Sequence, residues 1–407
     1  GGQDVNGNEA LHGGAARTSL SVHKNNLLFV LCWAASISSS TIQRHSECAM
    51  GLIFSRSLYG LPRQKYALEI FIDSAEVEAA IDPDIPIIDP HHHLWDARTQ
   101  DKGWPISRFA INILYKLNPR LLVPLMHSGQ DARVQKFVTK FMWPAVPYMD
   151  NEMLRDIENL PQSDQPLPHE SERPAGRPRG HDVQGTVLVE SGWDDPHAPS
   201  RAFMAVQEAS VAKAVASRTG GRLCTGFIAH VPLTEGIDAV RPALKKLIDD
   251  CPNFVGIRHA MAHREGMFPL DGVPKLAYDE KFRSSFAALK ELGLTFDTWL
   301  YHDQIHDLRD LALAFPDVTI ICDHMAYPVG IPPYDRAKAF EEWKPLMKEL
   351  AEVCPNVVVK LSGLGSVVLG FGFENRSVPP NSEELSDAWG PYIRHCIECF
   401  GVDRCMF

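Results

Sequence analysis

Several things are scarce or missing in this sequence of 407 residues, and each absence narrows what the chain can be. Positive charge is in deficit: the formal net charge is −11, and no basic stripe offers a footprint for nucleic acid. Cysteine is thin, nine residues over the whole length, an odd number that argues against a disulfide framework and for a reducing, cytoplasmic setting. Cys396 and Cys399 stand in C-x-x-C spacing but lack a second pair at zinc-finger distance, so they read as two half-buried residues on one helix. The longest apolar run, Leu27 to Ile37, is too short to span a bilayer. No internal repeat is present, and no Gly-rich phosphate turn follows the first strand.

What is present is a rhythm. Beyond residue 80, short apolar, β-rich runs alternate with amphipathic helical stretches. Strands are expected at Ile85–Asp89, Gly185–Ser191, Leu223–His230, Phe254–Arg258, Leu294–Leu300, Val318–Asp323 and Val357–Leu361, with an eighth beginning at Arg404–Phe407. Helices are expected over Arg201–Ser217, Ile237–Asp249, Lys281–Leu292, Gln304–Ala314 and Arg336–Cys354. About eight βα units with buried strands predict an α/β fold, a (β/α)8 TIM barrel, with an open doubly wound sheet as the alternative.

Residues 1–80 read as a leader, largely disordered, and 81–407 as the barrel. A Lys before the apolar run and serines after it leave a targeting segment open as an alternative, and Met50 offers a later start. Within the barrel, 97–160 is a lid-like insertion rich in Trp, Phe, Leu and Pro, and 161–180 is a solvated Pro-rich loop.

The richest stretch is Ile85-Pro86-Ile87-Ile88-Asp89-Pro90-His91-His92-His93-Leu94-Trp95-Asp96. Side chains alternate faces along a strand, so His91 and His93 point one way and His92 the other. Two imidazoles at a strand end make half of a metal site or a polar cradle for substrate. Other strands also end in polar groups: Glu190, His230, Arg258 with His259, Tyr301 with His302, Asp323 with His324, and Lys360. Chemistry in such a barrel gathers at the C-terminal strand ends, so these residues are expected to share one mouth.

The phrases IIDPHHHLWD, FVGIRH, TFDTWLYHDQI, IICDHMAYPVG, NVVVKLSGLG and FGVDRCMF, in that order over residues 85 to 407, resemble the amidohydrolase superfamily. Their wording is similar to its amidohydrolase-related branch of sugar lactonases and 2-pyrone-4,6-dicarboxylate lactonases. The resemblance implies His91, His93, His302 and His324 around one divalent cation, zinc before magnesium for nitrogen ligands, or a metal-independent site in which histidines and arginines bind substrate directly. It further implies a small-molecule substrate, with Arg258, His259, Tyr301 and Lys360 on the binding side and His302, His324, Asp323 and Glu190 on the catalytic side. Arg258 at the end of strand four leaves no bridging carboxylated lysine, which speaks against a binuclear centre. The expected activity is hydrolysis of a cyclic ester or related carbonyl in a carboxylated molecule. The alternatives are metal-dependent decarboxylation and a non-catalytic barrel that only binds a ligand or partner. The family phrase stops at Phe407, ahead of the strand-eight Asp that takes a proton from water in these hydrolases, so truncation within the eighth strand is expected. Self-association as a homo-oligomer is left open.

Overall fold

The computed structural model describes residues 78–100, 107–117, 147–161, 165–169, 172–173, 179–193, 195, 197–264 and 273–407. All of them fall in one compact unit, Lys65–Phe407. Most of the expected leader, the apolar run Leu27 to Ile37, and parts of the 97–160 insertion and the 161–180 loop lie outside the described residues. Among those described, no helix is long and apolar enough to cross a membrane.

Eight strands run in sequence order in one parallel sheet. They are β1 Pro86–His92, β2 Asp182–Val189, β3 Gly226–Ala229, β4 Phe254–Arg258, β5 Thr295–Thr298, β6 Ile320–Cys322, β7 Val357–Lys360 and β8 Cys405–Met406. Among the described residues eight α-helices accompany them: α1 Arg108–Leu117, α2 Asp150–Ile157, α3 Val206–Arg218, α4 Ile237–Asp250, α5 Glu280–Leu292, α6 Ile305–Ala314, α7 Arg336–Val353 and α8 Ser382–Phe400. This is the nearly closed (β/α)8 barrel that the rhythm predicts. β8 pairs with β7 over two registers, and no β8–β1 ladder occurs among the described residues.

Local chemistry sets the boundaries. Asp279 accepts the Phe282 N–H and opens α5, Asp335 accepts that of Lys338 and opens α7, and Asn381 with Glu384 forms a capping box on α8. Helix α5 buries Phe282, Phe286 and Leu289, one face at helical spacing, and the Phe286 ring sits 4.8 Å from that of Phe296 on β5. On the lumen side space is short: a Cβ on Gly256 would come within 2.2 Å of Thr295 Oγ1 and 3.1 Å of Ile228 Cδ1. Gly256 therefore sits where β4 leaves no room for a side chain.

β1 runs three residues past its expected end, so His91 and His92 belong to the strand itself and His93 follows it directly. Its register against β2 slips between Asp89 and His92. Pro90 has no N–H to give the ladder, and the His91 N–H turns back to Asp89 Oδ1 at 2.9 Å. The bulge turns the strand end into the mouth.

Candidate active site

Alternation holds through the bulge. His92 is buried on the outer face against Thr186 Oγ1, 2.8 Å away. His91 and His93 share the inner face, their Nε2 atoms 3.1 Å apart. His93 Nδ1 lies 2.9 Å from the Val189 carbonyl and 3.0 Å from that of Glu190. Carbonyls only accept, so Nδ1 carries the proton and Nε2 presents a lone pair. The β2 end that supplies these carbonyls is itself pinned, since Ser191 N–H donates to buried Glu208 and Ser191 Oγ accepts from Leu94 N–H.

From β6 comes an unusual turn. His324, Met325 and Ala326 all have positive φ, at 56°, 55° and 51°. Three consecutive non-glycine residues in the left-handed region hold strain that packing must offset, a pattern that concentrates at functional sites. The turn brings the His324 ring to 4.7 Å from that of His91, stacks it on Tyr327 at 5.2 Å, and sets its Nδ1 2.9 Å from Ser362 Oγ.

Between these rings lies a buried charge network. Arg258 grips Glu190 through Nε at 2.8 Å and Nη2 at 2.7 Å, while its Nη1 stands 3.3 Å from His91 Nε2 and 3.9 Å from Asp323. Lys360 lies 2.5 Å from Asp297, 3.0 Å from Asp323 and 3.2 Å from His91 Nδ1. Three carboxylates (Glu190, Asp297 and Asp323) face two cations, which leaves one net negative charge. Burial opposes ionisation of Asp323, but the Lys360 ammonium and the polar contact with His91 outweigh it and hold the acid well below the usual carboxylate range. Burial likewise opposes Glu190, and Arg258 outweighs it. Asp297 is pushed up to about 6 by burial, against the pull of Lys360, and so remains mostly ionised at neutral pH. Burial pulls His91 down to about 3, His324 to about 4 and His93 well below its ordinary value, so all three rings are neutral.

Neutral imidazoles and an ionised carboxylate are what a borderline cation needs. His91, Asp323 and His324 place ligand atoms within 4.8 Å of one another, and this group could hold a metal ion. Both Asp323 oxygens are buried without a well-formed hydrogen bond, so the carboxylate has capacity to spare. His93, whose Nε2 lies 3.1 Å from that of His91, is not part of this group. The donor set fits a single divalent cation.

The expected residues thus divide. His91, His93, His324, Asp323, Glu190, Arg258 and Lys360 come together. His302 does not contact that group: its Nδ1 accepts the Val329 N–H at 3.3 Å, and its Nε2 lies 3.8 Å from Glu342 on α7. The short 3-10 turn that begins at His302 directs the ring to the loop after β6, and in the geometry of the ligand group Asp323 stands where His302 was expected. Tyr301 is buried among Ala262 and Val329, with its ring against Trp299. His259 is buried toward the helices, with its ring against Phe282 and His230. Sequence reasoning passed over Asp297, Ser362 and Tyr327. Asp297 had a signal, a lone acid inside the apolar run Leu294–Leu300.

A family model described as Amidohydrolase matches residues 88–407. The chain belongs to that amidohydrolase family. An uncharacterised protein, y4mH of Sinorhizobium fredii, is 28% identical over 328 residues, 80% of this chain and 84% of that protein. Among solved structures, an amidohydrolase from Burkholderia multivorans with bound zinc is 17% identical, with 79% of this chain and 82% of the other covered and a TM-score of 0.48. A Pseudomonas putida protein assigned as a 2-pyrone-4,6-dicarboxylic acid hydrolase is 13% identical, with 78% and 80% covered and a TM-score of 0.43. In this amidohydrolase the converging side chains come from β1, β2, β4, β5, β6 and β7, at the strand ends where barrel enzymes carry their chemistry.

Proposed function

We propose that this amidohydrolase hydrolyses a cyclic ester, or a related carbonyl, in a small carboxylated molecule. The observation that carries the reading is the buried cluster itself: Arg258 and Lys360 beside three neutral imidazoles and the under-bonded carboxylate of Asp323, all at one barrel mouth.

Arg258 spends Nε and Nη2 on Glu190, which fixes its plane and leaves Nη1 for an anionic group of the substrate. Lys360, held by Asp297, places a positive charge where negative charge grows on the carbonyl oxygen. His324, oriented by Ser362 and Tyr327, can hydrogen-bond that oxygen or the leaving alkoxide. Asp323 stays ionised and offers lone pairs to the O–H of an attacking water, which aligns it and accepts its proton. Glu190, held by Arg258 through Oε1, serves to position that arginine. No chemical step is assigned to His302, Tyr301 or His259. A divalent ion on His91, Asp323 and His324 would when bound polarise the carbonyl and acidify water.

The test is product analysis. The purified chain is incubated with carboxylated lactones, saturated and pyrone-type, with zinc or with chelator, and products are followed by mass spectrometry. Ring-opened acid that gains one water, formed by the wild type and lost in Arg258→Ala, supports the reading. Release of carbon dioxide with loss of the carboxyl carbon would replace it with decarboxylation, and the absence of any product across the panel would reject it.

A further inference from the structure

His230 follows β3, and no step above uses it. Along β3, Phe227 and Ala229 belong to the apolar core under the helices, while Ile228 lies next to Gly256 on the lumen side. Alternation then directs His230 into the lumen as well. Its Nδ1 is 3.0 Å from the backbone carbonyl of Arg258, which can only accept, so Nδ1 carries the proton and in that tautomer Nε2 keeps a lone pair. Among the described residues that Nε2 has no hydrogen-bond partner, and it is not among the buried unpartnered atoms, so it opens to solvent. The ring is held edge-on to His259, 5.3 Å away, which is itself wedged against Phe282. It lies close to the Glu190 carboxylate. An acceptor of fixed orientation therefore faces the mouth beside the arginine assigned to the substrate's anionic group.

The geometry points to His230 as a specificity-determining residue: its Nε2 accepts a hydrogen bond from a hydroxyl on the substrate, next to the carboxylate held by Arg258. The inference rests on the hydrolase reading for what the mouth binds, and it narrows the substrate to a hydroxylated carboxylic lactone. Two acceptors stand here, His230 Nε2 and the Glu190 carboxylate, and they call for a donor. An ammonium donor would face the Arg258 guanidinium, so a neutral hydroxyl suits the site better. A ligand without that hydroxyl would leave the acceptor dry and unpaired, which disfavours it by about tenfold or more.

Two variants separate recognition from support. In His230→Asn the amide N–H takes the place of Nδ1–H, keeps the bond to the Arg258 carbonyl and removes Nε2. In His230→Gln an amide oxygen reaches the Nε2 position and the Arg258 contact is lost. Calorimetry on the full chain uses gluconate, a six-carbon carboxylate rich in hydroxyls, and hexanoate, which has none. The wild type is expected to prefer gluconate by about tenfold or more, His230→Asn to lose that preference with hexanoate binding unchanged, and His230→Gln to recover part of it. Equal binding of the two acids by the wild type, an unaltered preference in His230→Asn, or parallel weakening of both acids only in His230→Gln would each overturn the assignment. Lactone opening is scored separately. Gluconate selectivity without ring opening retains His230 as an acceptor and removes the hydrolase reading, whereas equal opening of hydroxylated and plain lactones does the reverse.

Discussion

Gly363 lies so close to His324 that a Cβ on it would stand 2.6 Å from the ring's Cγ, and its φ of +74° is one that L side chains rarely adopt. The loop after β7 thus shapes the seat of the β6 histidine. Gly363→Ala should cost about 1–3 kcal/mol of stability from backbone strain and displace the His324 ring. Activity should then fall by at least about tenfold, because about one ångström of misplacement is costly in a catalytic site. Gly365→Ala is the control, since nothing lies within 4 Å of a Cβ there. Thermal unfolding and turnover on the same preparations check both effects; equal behaviour of the two variants would remove the seat.

How much of this was legible beforehand follows from particular residues. β4 was expected at Phe254–Arg258 and lies there, because an apolar run bounded by Asn253 and His259 leaves little choice. β1 was expected to end at Asp89, since Asp-Pro usually breaks a strand, and the bulge at Pro90 lets it continue to His92. The facing of His91 and His93 follows from alternation, a property of one strand. The departure of the His302 ring depends on a 3-10 turn and on contacts with Val329 and α7, and the clustering of Asp297 with Lys360 depends on how β5 and β7 face across the lumen. Such relations between distant segments have no local signal.

Lys360 and its two acids behave as a unit. Lys360→Met leaves Asp297 and Asp323 buried without their ammonium and should destabilise by about 3–5 kcal/mol. Adding Asp297→Asn should return part of that loss, since one unpaired charge is then removed. Denaturant unfolding of the wild type, both single variants and the double completes the cycle; strict additivity would show that the buried contact contributes nothing.

The ligand group makes a stoichiometric prediction. The wild type should take up about one zinc per chain on His91, Asp323 and His324, and Asp323→Asn, which removes the ionised ligand, should weaken that uptake by about tenfold or more. His230→Asn should leave it unchanged. Elemental analysis after dialysis against defined free zinc reads all three, and unchanged uptake in Asp323→Asn would move the metal elsewhere.

Two buried histidines outside the ligand group set a pH dependence. Burial pulls His92 and His259 down to about 3, below the ordinary 6.5 that both recover on unfolding. Between those values the unfolded chain binds more protons than the folded one, so stability rises with pH. It is complete above about 6.5 and lost progressively as pH falls toward 3. Each ring contributes a slope of up to about 1.4 kcal/mol per pH unit. Replacing both by Asn should flatten stability between pH 6 and 4.5 by up to about twice that slope. Urea midpoints across the range test it, and an unaltered slope in the double variant would assign the acid sensitivity to other groups.

Arg258 offers the sharpest separation of binding from chemistry. Its guanidinium makes three contacts at once, two on the Glu190 carboxylate and one on the Glu190 carbonyl, and still leaves Nη1 facing His91. A lysine carries the charge on a single point and cannot hold Glu190 while reaching a substrate. Arg258→Lys should therefore raise KM for a carboxylated lactone by about tenfold to a hundredfold, with a smaller fall in kcat. For the matching lactone whose carboxylate is masked as an amide, wild type and variant should differ far less. A uniform loss on both substrates would mean that Arg258 supports the imidazole cluster through His91 and Asp323, and that the anionic group is held by Lys360 instead.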